Sequence, residues 1–269
     1  MLGKLLKYEI KATARLFLPL YLTVLVVAAL NMLFLNVPDA GSKSFSFSNL
    51  AMGISMVAYV SLIVGMLLMT LIVLIQRFYK NLLSDEGYLM FTLPVASWSH
   101  ILSKLTVSML WTIVSGIVAV ISVLVLAAND ISIAEVYNGL SMVYDQFTHY
   151  FGAYGFLLGF EAVVLALLTI ASTILTIYAA IALGHLFNKY KLLASFGMYI
   201  VLKTASQVLM TILAAIFFNM PSLGFVGNSI PNALQVNNFM LLSIFYSAIL
   251  TAAYFILTNY ILKRKLNLE

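Results

Sequence analysis

The chain has no cysteine, and only 9% of its 269 residues are charged. The first absence removes disulfide and thiolate-ligand chemistry. The second removes an ordinary aqueous surface, because a soluble domain carries about 25% charged residues. Histidine is scarce as well: His100, His149 and His185 are far apart, and no His-Glu-x-x-His pair exists to hold zinc. No long apolar run contains an aspartate, so an intramembrane aspartyl dyad has no candidates. A Gly-x-Ser-x-Gly elbow and a phosphate-cradling Gly-x-x-x-x-Gly-Lys-(Ser/Thr) loop are both missing. The expectation is a chain without catalytic residues, without a metal and without its own ATP hydrolysis.

What the sequence has is apolar length. It is 63% hydrophobic, with mean hydropathy +1.07. Six runs approach or exceed the roughly 20 residues that cross a bilayer: residues 16–35, 50–75, 105–128, 152–183, 192–218 and 239–262. The fold class expected is an all-α integral membrane protein with six transmembrane helices in a single domain, residues 1–269. The fourth run is longer than one span and is expected to kink or project. Twelve of the fourteen Lys and Arg fall on one side of a six-pass arrangement. They are Lys4, Lys7, Lys11, Arg15, Arg77, Lys80, Lys104, Lys189, Lys191, Lys263, Arg264 and Lys265. By the positive-inside rule that side is cytoplasmic and both termini are inside. The formal charge of +5 then reads as topology and attraction to anionic head groups, with no nucleic-acid module in view. The first run is expected to be a retained helix, since it is too long for a signal-peptide core.

Residues 2–16 place Lys4, Lys7, Lys11 and Arg15 within an arc of about 80° at 100° per residue. Leu2, Leu5, Leu6, Ile10 and Leu16 lie opposite, so this segment reads as an amphipathic elbow helix anchored on membrane lipid. In residues 129–150, Val136, Leu140, Val143 and Phe147 continue to Phe151 as a helical apolar stripe, and a surface-lying outer helix is expected. Residues 219–238 carry Pro221, Gly224, Gly227 and Pro231 but no charge. They are read as a re-entrant segment shielded by neighbouring helices before the sixth span. Inside the spans stand Glu161 and Lys203, with Gln207 one turn from Lys203. A buried charge favours a partner or a wet cavity. Pairing, snorkelling of Lys203 to the head groups, and a place on a transport path all remain open for them.

One charged, proline-punctuated stretch interrupts the apolar pattern between the second and third runs. Residues 84–104 read Ser-Asp-Glu-Gly-Tyr-Leu-Met-Phe-Thr-Leu-Pro-Val-Ala-Ser-Trp-Ser-His-Ile-Leu-Ser-Lys. The segment resembles the cytoplasmic coupling segment of ABC-2 type transporter permeases. That pattern is Glu-x-Gly-Thr-Leu-Glu-x-Leu-x-x-(Thr/Ser)-Pro-(Val/Leu)-Ser with an Ile-Leu-x-(Gly/Ser)-Lys tail. Glu86, Gly87, Leu89, Pro94, Val95, Ile101, Leu102, Ser103 and Lys104 match it, while Tyr88, Met90 and Thr92-Leu93 depart from it.

The resemblance implies that Asp85, Glu86, Gly87, Tyr88, Leu89, Phe91 and Pro94 form an ATPase-coupling element at residues 81–94. It implies a permease subunit in a bacterial plasma membrane, dimerised with itself or with a sister permease. ATP and Mg would be bound by separate ABC ATPase subunits. Export of a hydrophobic or amphipathic substrate is the expected activity. A non-transport immunity or sensor protein, binding a peptide at residues 129–150, is the competing class. A channel or secondary transporter would be expected to show paired, interrupted helices, and no repeat is visible.

Overall fold

The computed structural model describes residues 2–35, 47–82, 96–128, 132–187, 189–219 and 233–264. Among them are seven α-helices and no strand: α1 Leu2–Leu35, α2 Phe47–Leu82, α3 Ser97–Ala127, α4 Ile133–Phe151, α5 Gly155–Gly184, α6 Lys191–Asn219 and α7 Ala233–Arg264. All but α4 are long and apolar enough to cross a membrane. The protein is therefore an all-α, multi-pass membrane protein. Large apolar side chains such as Leu18, Ile54, Val120, Phe156 and Phe245 stand exposed along these six helices, as a lipid-facing surface requires.

Several boundaries differ from those the sequence suggests. The elbow expected at residues 2–16 is not a separate element, because α1 runs unbroken through Pro19. Proline is tolerated in such helices although its missing N–H leaves the carbonyl four residues earlier without its usual donor. Lys4, Lys7, Lys11 and Arg15 are all exposed on this helix, while Thr13, Phe17, Tyr21, Val24, Ala28 and Asn31 are buried at steps of three and four. The long fourth run forms one helix, α5, whose 30 residues exceed the length of a single span, as expected. A 3-10 turn at Gly152–Tyr154 precedes it and separates it from α4, with Gly152 at φ +54°. A backbone in that region suits glycine because no Cβ meets the following carbonyl.

A helix in residues 129–150, as expected, is present as α4. Its start is fixed by a reciprocal capping box: Ser132 N–H donates to Glu135 Oε2 at 2.7 Å, and Glu135 N–H donates to Ser132 Oγ at 3.2 Å. Residues 233–238, assigned above to the re-entrant segment, are the opening turns of α7. The remainder of that segment, residues 220–232, lies outside the described residues.

The chain separates into two compact units. One comprises residues 3–74 and 110–142. Within it the α3 residues Trp111, Ser115 and Ser122 meet α1 and α2. Phe17 stacks on Trp111 at 4.6 Å, and the Trp111 indole N–H donates to Thr13 Oγ1 at 2.7 Å. Ser115 Oγ lies 2.8 Å from both the Tyr21 hydroxyl and Thr70 Oγ1, and the Tyr59 hydroxyl is 3.0 Å from Ser122 Oγ. In a bilayer these hydrogen bonds join helices where apolar contact alone gives no preference over lipid, at roughly 0.6 kcal/mol each.

The second unit comprises residues 75–109 and 143–269, with two residues of the amino terminus. α5 is its hub. It packs extensively against both α6 and α7, which touch each other only slightly. At its Gly184 end α5 is pressed directly onto α6, since a Cβ on Gly184 would lie 2.5 Å from Ser195 N and Cα.

Candidate functional site

Two helices that lean on a third without packing on each other leave a cleft between them. Here that cleft is a cavity of about 290 Å³ floored by α5 and walled by α6 and α7. Its lining sets a band of polar side chains beside Leu165, Met210 and Leu250. α5 contributes Thr169, Ser172, Thr173 and Thr176, whose three-, one- and three-residue steps lay them along one face. α6 contributes Lys203, Ser206 and Gln207, again one face, and α7 contributes Ser243, Tyr246 and Ser247. Two tyrosines bridge the walls: the Tyr246 hydroxyl donates to the Ser206 carbonyl, and the Tyr254 hydroxyl donates to the Leu202 carbonyl at 3.3 Å.

The depth of this cleft follows from helix geometry. α6 has 29 residues, about 43 Å at 1.5 Å each, against a hydrocarbon core of about 30 Å. Lys203 is two residues from the midpoint of α6, about 3 Å along the axis. Thr169 and Ser247 are likewise close to the midpoints of α5 and α7.

The hydroxyls divide into two groups. Thr169, Ser172, Thr176, Ser206 and Ser243 each donate to a carbonyl of their own helix at 2.7–3.0 Å. They can then only accept. Among the described residues the side chains of Lys203, Gln207, Thr173 and Ser247 form no such bond, so their N–H and O–H donors remain for a ligand. Among the described residues Lys203 carries the only charge in the lining.

Of the three intramembrane residues singled out in the sequence, the structure brings Lys203 and Gln207 together and leaves Glu161 elsewhere. Glu161 is buried on α5, about 12 Å along the axis from Thr169, and its Oε2 has no hydrogen-bond partner among the described residues. It forms no ion pair with Lys203. The sequence reading missed the hydroxyl face of α5, although Thr-Ile-Ala-Ser-Thr-Ile-Leu-Thr at residues 169–176 was a visible polar stripe.

The coupling residues Asp85, Glu86, Gly87, Tyr88, Leu89, Phe91 and Pro94 lie outside the described residues. The helix ends that bracket them are described, and both belong to the unit containing the cleft. On α2, Phe78 stacks on Tyr178 of α5 with centroids 4.0 Å apart and planes 9° apart, and Tyr79 meets His185 edge-on at 5.1 Å. On α3, Ser108 Oγ is 2.8 Å from the Tyr178 hydroxyl. The tail residues Ile101, Ser103 and Lys104 form a buried turn of α3 together with His100, with Ser103 Oγ donating to the His100 carbonyl at 2.9 Å. Lys104 and His100 both take part in further polar or electrostatic interactions.

His185, just beyond α5, has its pKa lowered below the usual histidine value. Burial is the main cause and the nearby Lys191 cation adds to it, against a hydrogen bond to the Ile181 carbonyl that favours the charged ring. No group of three or more potential metal ligands occurs among the described residues. No family model, curated protein or solved structure matches the chain.

Proposed function

We propose that the chain is the membrane-spanning subunit of an ATP-driven transporter of the ABC-2 type, moving an amphipathic substrate outward and relying on a separate ATPase. The observation that carries this reading is that both helices flanking residues 83–95 contact α5 at one residue. Phe78 and Ser108 converge on Tyr178, two residues from Thr176 in the polar cleft. A push on the intervening segment is thereby applied to the helix that floors the cleft. Aromatic stacking and a hydrogen bond make that joint stiff in two directions.

Under this reading Glu86, Leu89 and their neighbours seat in a groove on the ATPase, with apolar and aromatic anchors supplying most of the contact energy. The permease works as a homodimer or heterodimer in a bacterial plasma membrane, with its termini in the cytoplasm. ATP and Mg belong to the partner.

The test is Glu86→Lys combined with Leu89→Asp. Membrane insertion should be normal, a Walker-motif ATPase should no longer co-purify in mild detergent, and substrate export should stop. Normal export in the double variant would refute the coupling assignment. Recovery of the wild-type chain without any ATPase, under conditions that preserve a known ABC complex, would favour the immunity or sensor protein. That alternative finds its support in α4, whose Tyr137, Leu140, Val143 and Tyr144 are exposed.

A further inference from the structure

We infer that the cleft between α6 and α7 binds the anionic head group of an amphiphile, phosphate or carboxylate, with Lys203 as its counter-charge. The identification of that amphiphile as cargo rests on the transporter reading; the binding itself does not.

The sign of the site comes first. A cation this deep in a span is costly unless it is paired or wet. Glu161, the acidic residue of α5, is about two helical turns from the hydroxyl face along that helix, and among the described residues no carboxylate lines the cleft. An incoming anion supplies what the fold leaves out.

The donors come second. Lys203, Gln207, Thr173 and Ser247 reach the same cleft from three helices with their N–H and O–H groups uncommitted among the described residues. Several donors converging on one volume suit a group with several acceptor oxygens. Charge-assisted bonds to such a group are about twice as strong as neutral ones.

Size and surroundings then select an amphiphile. About 290 Å³ is at the lower limit of small-molecule pockets, enough for a head group and not for a folded peptide. Leu165 on α5, Met210 on α6 and Leu250 on α7 complete the lining. The first carbons of an acyl or prenyl chain can lie against them while its head meets Lys203 and the hydroxyls.

The experiment is equilibrium binding of radiolabelled C12 probes to the purified full-length chain in a neutral maltoside detergent. Dodecyl phosphate, laurate and dodecyltrimethylammonium are compared. One saturable site per chain is expected for at least one of the two anions and none for the ammonium. Tighter binding of dodecyl phosphate identifies a phosphoryl head, as in a lipid-linked substrate; tighter binding of laurate identifies a carboxylate, as in a lipopeptide or fatty acid.

Lys203→Gln should weaken anion binding at least tenfold. Lys203→Arg should stay within a fewfold of wild type, and Lys191→Gln, at the helix end, should not change it. Unaltered binding in Lys203→Gln, equal binding of the ammonium, or no saturable site for either anion would overturn the inference. If Lys203→Gln gives no monodisperse protein, Thr173→Val with Ser247→Ala decides the matter. A severalfold loss supports the site, and no loss refutes it. None of these measurements needs an ATPase. Their failure leaves the coupling hypothesis standing, and failure of the Glu86/Leu89 test leaves the binding result standing.

Discussion

Gly184→Ala is the sharpest perturbation the fold offers. Gly184 ends α5 where that helix is pressed onto the first turn of α6, and an added Cβ would sit 2.5 Å from both the N and Cα of Ser195, and closer still to Ser195 Oγ. Unstrained carbon contacts begin near 3.5 Å, so the start of α6 must withdraw by about 1 Å. Overpacking of this kind costs about 1–3 kcal/mol. Alanine recovers at most about 1 kcal/mol of helix propensity over glycine, and less at a terminal residue. The expected net loss is about 1–2 kcal/mol, read as a lower midpoint when the chain in maltoside micelles is titrated with dodecyl sulfate. Adding Ser195→Gly removes the hydroxyl but leaves the backbone atoms in the way, so it should not restore the midpoint. An unchanged midpoint in Gly184→Ala, or full rescue by Ser195→Gly, would show that α5 and α6 are not held at this separation.

Other outcomes follow from the same geometry. Tyr178→Phe keeps the stack on Phe78 and loses the bond to Ser108, a loss of about 1 kcal/mol; Tyr178→Ala empties the joint and should lose about 3–5 kcal/mol in the same unfolding assay. His185 has a folded-state pKa below its unfolded value, so the unfolded chain takes up the proton first. The stability tied to its neutral ring is therefore complete above the unfolded pKa. It is lost as pH falls through that value toward the lowered one. Wild type should accordingly weaken more than His185→Gln between pH 7.5 and 5.5, and equal pH dependence of the two would contradict the assignment. Ser132→Ala removes one half of the α4 capping box, worth about 1 kcal/mol. Hydrogen exchange should be about fivefold faster in the first turn of α4 alone.

The sequence by itself determined the class and layout of the protein. A bilayer demands about 20 apolar residues per span and punishes charge within them, so six spans and their approximate limits were legible from hydropathy alone. α4 was also legible, since the stripe from Val136 to Phe151 is a local, one-helix property. Local patterns were weaker at joins. Nothing in the order of residues 2–35 said that residues 2–16 would run on into the first span as one helix, or that a turn at Gly152 would part α4 from α5.

The cleft belonged to the tertiary structure. Lys203 and Gln207 drew attention as polar residues in an apolar run, but Glu161 looked equally eligible. Only the way α6 and α7 both lean on α5 put Lys203 beside Thr173 and Ser247 and left Glu161 elsewhere. Hydroxyls are cheap in a membrane helix because they can donate to their own backbone, so their presence alone carries no message. Their convergence from three helices on one lysine does, and convergence is a property of packing that no single stretch of sequence contains.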